Sequence, residues 1–336
     1  MLRILATLFC LTIALPAFAT CKGPSQFDAL PEDQQADLQR RAAQAPFAQG
    51  NFWQVEKNGV TSYVIGTMHL PDARHARILD TLKAIPNPPS RLFLELNSTD
   101  ELVFQNHLTS DPSKILITSG PTLIERLGED NWTKLKPRLA DIGLPPFVAA
   151  KYQPWFLGLT LSIPACAVAD IKAGRPGLDR QIEDWAEDKG LTAQSLDNTE
   201  NLMRILASDP LEEQVEMLKW SLSQDFDLSG ADSITTMLAL YFEERNQLYW
   251  EYSKAEALGG FTDPADIKRV NDLFDELQSD LVQSRNLQWV DALAPALGEA
   301  PAFVAVGALH LPGENGVLTL LQNQGFSIKR VRLVHN

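Results

Sequence analysis

The chain has 336 residues and a mass of 37.2 kDa, with 45% hydrophobic and 21% charged residues. That composition excludes a disordered chain, a fibrous repeat and a disulfide-dense miniprotein. Its 43 Asp and Glu against 29 Lys and Arg give a formal charge of -14, which argues against nucleic acid and anionic membrane surfaces as partners, since both need clustered positive charge.

Residues 1–19 read as a secretory signal: Arg3 gives a positive start, 4–15 are apolar, and Ala17-Phe18-Ala19 supplies an A-x-A cleavage site. An uncleaved anchor helix is the alternative, but the apolar run is short for a bilayer. A lipid-anchored Cys21 is disfavoured by Phe18 and Thr20 in front of it. The expected mature chain, 20–336, is a single domain, periplasmic or secreted. It has no integral membrane span, because no later stretch reaches about 18 uninterrupted apolar residues. Only three cysteines occur, none in C-x-x-C spacing, so a four-cysteine zinc module is excluded. Signal cleavage leaves Cys21 and Cys166 in a compartment where disulfides persist. A Cys21–Cys166 bridge is expected, with two unpaired thiols as the alternative.

Further along the chain, 30–44 has helical spacing, and 51–55 and 59–65 read as strands joined by a turn at Lys57-Asn58-Gly59. A helix over 75–85 ends at Pro86, and 91–96 (RLFLEL) reads as a short buried strand with Glu95 out of place in it. Helical patterns dominate 101–207, including a helix over 177–189 closed by Gly190. Long acidic amphipathic helices fill 210–299, with breaks near Gly230 and Gly259-Gly260. A strand at 302–306, a helix at 316–324 and a strand at 326–333 complete the chain. The expected fold is therefore mixed α/β (α+β), in which the two ends meet in one sheet and a helical middle, about 100–300, covers it.

A repeat carries the chemistry. VIGTMHLP at 64–71 and AVGALHLP at 305–312 share Gly, His, Leu and Pro at matching places, and each closes an apolar strand. Gly66 and Gly307 let the backbone turn, so His69 and His310 emerge at the carboxyl edge of the sheet, where sites gather. Histidines at such strand ends are expected to contribute little to the core. Neutral imidazoles are good ligands for zinc, manganese, iron or cobalt. Glu95, near the end of the next strand, needs a partner for its charge, and a metal ion would supply one. Two His and one carboxylate form a ligand set with open positions for water. The alternative is Glu95 paired with an arginine or capping a helix. Of the other histidines, His75 is expected on the exposed start of a helix, and His107 and His335 have no supporting context. Asp179 reads as a first-turn carboxylate favoured by the helix dipole.

These residues resemble the TraB/PrgY/GumN/TIKI family, which bears on erythromycin-esterase-like and ChaN-like folds. The resemblance runs through VIGTMH, FLEL, PWFLGLTLSIPAC (154–166), GRPGLDRQI (174–182), SRNLQWV (284–290) and AVGALHLPGENGVLTLLQNQGF. A cysteine just after the signal and another in the apolar segment resemble bacterial GumN-like members in particular. The resemblance implies a mixed sheet with two pseudo-symmetric strand–GxxH units and a large helical covering. It also implies metal-dependent proteolysis using a divalent ion of manganese, cobalt or zinc type. By that match His69, Glu95 and His310 form the active centre, Arg285 and Asn286 a supporting polar pair, and Asp179 a further supporting residue. The expected function is an exported, peptidase-like metallohydrolase acting on a peptide or small-molecule substrate. The competing reading is a non-catalytic protein that binds peptide, metal or haem in the same crevice.

Overall fold

Asn58 and Gly59 both take positive φ, 54° and 80°, the backbone that a two-residue hairpin turn demands. They join β1 (Phe52–Lys57) to β2 (Val60–Thr67) as an antiparallel pair. The computed structural model describes residues 21–223 and 231–334. The expected signal over 1–19, the break near Gly230 and His335 lie outside them. The remaining strands are β3 (Arg91–Leu94), β4 (Thr192–Ser195), β5 (Phe303–Gly307) and β6 (Ser327–Arg330). All these strands lie in one mixed sheet of order β4-β3-β5-β2-β1-β6. β4, β3, β5 and β2 run parallel, and β1 is antiparallel to both β2 and β6.

The strand order fixes where the chemistry lies. β5, from the far end of the chain, inserts between β2 and β3, pairing Thr67 with Gly307 and Leu94 with Ala305. The three strands therefore end at one edge, and the residues just beyond them share a crevice. A strand buried on both faces reads as a continuous apolar run, which is why FVAVG shows no alternation. Val304 and Val306 face Trp289, Leu293, Leu297, Val317 and Leu321. Phe303 and Ala305 face Ile78, Leu82, Leu178 and Ile182 on the other side.

The helical middle has its own apolar cluster around Leu123, Trp132, Leu135, Leu157 and Val215. Phe27 and Leu38 pack with Leu248 and Tyr252. Cys21 and Cys166 are bonded, with Cα atoms 5.2 Å apart across a sequence separation of 145. The bond ties the N-terminal arm to the segment after Pro164. No single described helix is long and apolar enough to cross a membrane, and the apolar pair Pro154–Leu161 and Ala165–Lys172 is bent by 73°.

Three sequence expectations need correction. β4 lies inside 101–207, which reads as helical; its TAQS sequence is polar and half exposed, so only pairing with β3 makes it a strand. A π-helical turn, Gln278–Gln283, joins the helices Pro264–Leu277 and Ser284–Glu299 without any sequence signal. His75 is fully buried rather than exposed, because Nε2 donates to the Leu70 carbonyl at 2.8 Å and the ring packs against Tyr241 and Phe242.

Candidate functional site

His69 follows β2 on a loop whose path is set by glycine. A Cβ on Gly177 would stand 2.2 Å from the His69 carbonyl oxygen, so only glycine admits this approach. The Leu178 amide, at the start of the Leu178–Asp188 helix, donates to the Met68 carbonyl at 2.9 Å. That helix brings Asp179 to His69, whose Nδ1 donates to Asp179 Oδ1 at 3.1 Å. The hydrogen bond and the charge of Asp179 outweigh burial and hold the imidazole at a pKa of about 9. Its side chain is nonetheless 67% exposed, as suits a group on a cleft wall, so water screens this pair.

His310 is the opposite case. It ends a short 3₁₀ turn, Ala308–His310, after β5, and is 5% exposed. Its ring lies 4.5 Å from Trp289, centroid to centroid. Asn286 fixes the tautomer. The Asn286 amide nitrogen donates to the carbonyls of His310 and Asn315, so its Oδ1 must accept from His310 Nδ1, 2.6 Å away. Nε2 therefore keeps its lone pair and faces the site. Burial pushes the His310 pKa down to about 4, against the pull of Glu95. At neutral pH the imidazole is uncharged.

Glu95 lies just past β3, and its Oε1 accepts from the Gly307 amide at 2.6 Å. A Cβ on Gly307 would come 3.0 Å from that oxygen, so the second glycine of the repeat leaves space for the carboxylate. Burial alone would raise the Glu95 pKa, but His310, Arg285, His69 and the Gly307 amide bring it down to about 2. With His310 neutral, the standing positive charges acting on Glu95 are Arg285 and the protonated His69.

Arg285 has no spare donor. Nε donates to Asp197, Nη1 to the Leu281 carbonyl and to His310 Nε2, and Nη2 to Glu95 and Asp197. Its guanidinium also stacks 4.7 Å over Trp289, whose Nε1 donates to the other Asp197 oxygen. The Leu281 carbonyl belongs to the π-helical turn, which gives that irregular segment a role in holding the arginine. Asp197 and Trp289 have parts in the site that sequence reading missed. Asp197 sits just beyond β4 much as Glu95 sits beyond β3, and its amide donates to the Glu95 carbonyl at 2.9 Å. An acid after a strand is the signal that would have found it, but β4 itself was not legible.

A cavity of about 530 Å³ brings His69, Glu95, Arg285, His310 and Gly307 together; Asn286 and Asp179 stand behind the histidines, and Gly66 packs beneath against Leu311. Among the described residues, no three His, Cys, Asp or Glu side chains are arranged to hold a metal ion. The donors nevertheless suit one chemically. His310 Nε2 and Glu95 Oε1 are 3.7 Å apart, close enough that both would serve to hold a divalent cation. Both histidines have Nδ1 oriented by an oxygen; His310 presents an Nε2 lone pair, whereas His69, protonated beside Asp179, would have to lose its Nε2 proton to ligate. Arg285 now donates to the same Nε2, so an ion there would displace that one bond and leave the Asp197 pair intact. No curated protein and no solved structure matches the chain. The TraB/PrgY/gumN family model matches residues 51–330, from the turn into β1 to the end of β6, and the chain belongs to that family.

Proposed function

We propose that the protein is an exported, bacterial GumN-like hydrolase, peptidase-like in its chemistry, that activates water at His69, Glu95 and His310. The observation that carries the reading is the matched orientation of the two histidines. Each has Nδ1 tied to an oxygen, at Asp179 and at Asn286, which leaves Nε2 for the shared crevice. A divalent ion of manganese, cobalt or zinc type, held by those nitrogens and Glu95, would lower the pKa of a water and polarise the scissile carbonyl. In the alternative role, off the metal, Glu95 would take the proton that the attacking water loses. The buried charge of Arg285 favours the oxyanion that develops on the carbonyl. Hydroxide adds to the carbonyl carbon, the peptide C–N bond breaks, and the proton lost by the water passes to the leaving amine.

Metal analysis of the purified protein, paired with cleavage of an unbiased peptide library before and after chelation, tests this reading. The expected result is product beyond one equivalent, lost on chelation and restored by manganese, cobalt or zinc. One observation favours a second reading, a non-catalytic protein that binds peptide, haem or metal in the crevice: Arg285 already neutralises Glu95. A binder would saturate at one equivalent with no product.

A further inference from the structure

Thr67, His69 and Glu95 line two cavities at once. The first, about 530 Å³, is walled by Met68, Met237, Tyr249, Trp250, Leu281 and Leu309, with the Arg285 and His310 groups at its floor. The second, about 410 Å³, is walled by Glu101, Pro176, Asp179 and Arg180. Both volumes fall in the range of small-ligand sites, about 300–1,000 Å³. Their walls differ in kind. Two flexible methionines and two aromatic rings adapt to a large apolar group. On the other side Arg180 pairs with Glu101 and with Glu183, so that wall offers charged and hydrogen-bonding groups to a hydrophilic ligand.

We infer that the substrate is an extended peptide lying across both cavities, with a bulky aromatic or long aliphatic side chain in the first and a hydrophilic residue in the second. This rests on the hydrolase reading above and names its substrate class. A ligand that fills both cavities needs an apolar part and a polar part joined by a short polar link at His69 and Glu95. A peptide bond is such a link, because it carries a carbonyl beside the water-activating groups and alternates side chains along its length. A wholly apolar ligand would leave the charged wall unmatched, and a wholly polar one would strand the methionines and rings in contact with water.

The test uses the full oxidised protein and short blocked peptides that differ only in one residue beside the bond, Phe or Ala, with Ser on the other side. The Phe peptide is expected to have a kcat/KM at least about tenfold higher, a difference of about 1.4 kcal/mol. Met237→Trp, which narrows the apolar cavity, should reverse that preference. Met237→Ala, on a half-buried position that tolerates shortening, should instead extend the preference to Trp. Equal turnover of Phe and Ala peptides, or equal effects of both Met237 variants on the two, overturns the inference while the hydrolase reading stands. If no peptide is cut but calorimetry shows the Phe peptide binding more tightly than the Ala peptide, the hydrolase reading fails and the cavity assignment survives. If neither is cut and both bind alike or not at all, both readings fall.

Discussion

The His310 ring is enclosed by Trp289, Asn286 and Arg285, whereas His69 stands on an open wall with Asp179 as its partner. The same motif therefore has two different costs when broken. His69→Ala is expected to abolish metal-dependent turnover with the melting temperature of the metal-free protein nearly unchanged. Wild-type turnover in that variant would remove the paired-histidine site. His310→Ala should lose turnover too, but it also leaves the Asn286 oxygen buried without a donor, at about 1–3 kcal/mol. The expectation that strand-end histidines add little to the core thus suits His69 and fails for His310. Arg285→Ala should be the most damaging of the three, at about 3–5 kcal/mol, because it strands Glu95 and Asp197 in a buried setting. Denaturant melts of the three variants give the order. His69, Glu95 and His310 were legible because a repeated motif and a misplaced carboxylate are visible in one dimension. Asp197 was not, since its meaning depends on a pairing between residues far apart in the chain.

Among the elements, the apolar strands were the most legible. β2, β3 and β5 all appear within two residues of their expected bounds, since a strand buried on both faces needs an unbroken apolar run. β4 and the π-helical turn were illegible for opposite reasons. β4 borrows its conformation from β3, and the turn is a helix in pattern whose extra residue shows only when Leu281 must reach Arg285. The start of the Leu178–Asp188 helix is the element most sensitive to a single atom. Gly177 has φ of -68°, which any residue can adopt, so the objection to a side chain there is purely steric. Gly177→Ala should push the His69 loop away from Asp179, costing at least about 1–3 kcal/mol and lowering turnover more than His75→Gln does. Equal melting of Gly177→Ala and wild type would show that the loop moves freely, and would remove the positioning argument for His69.

On the scale of the molecule, the bond between Cys21 and Cys166 closes a loop with a separation of 145 residues. Cross-links over long loops restrict the unfolded chain most. Cys166→Ser is therefore expected to cost about 2–5 kcal/mol, seen as a lower denaturation midpoint that reductant no longer shifts. Thiol counting on unreduced protein lacking residues 1–19 should find no free thiol; two would mean the bridge does not form. The meeting of the chain ends in one sheet was legible from the strand-rich termini, but the seat of β5 between β2 and β3 was not, because strand order leaves no trace in periodicity. That seat governs the order of folding events. The helical clusters around Leu123 and around Phe27 draw only on residues that precede β5 and can form as the chain lengthens, whereas β2 and β3 wait with open inner edges until Phe303–Gly307 has been synthesised. Until then the nascent chain carries unpaired strand edges, the surface on which chains aggregate. The last tenth of the sequence is thus the step that commits the whole chain to its native state.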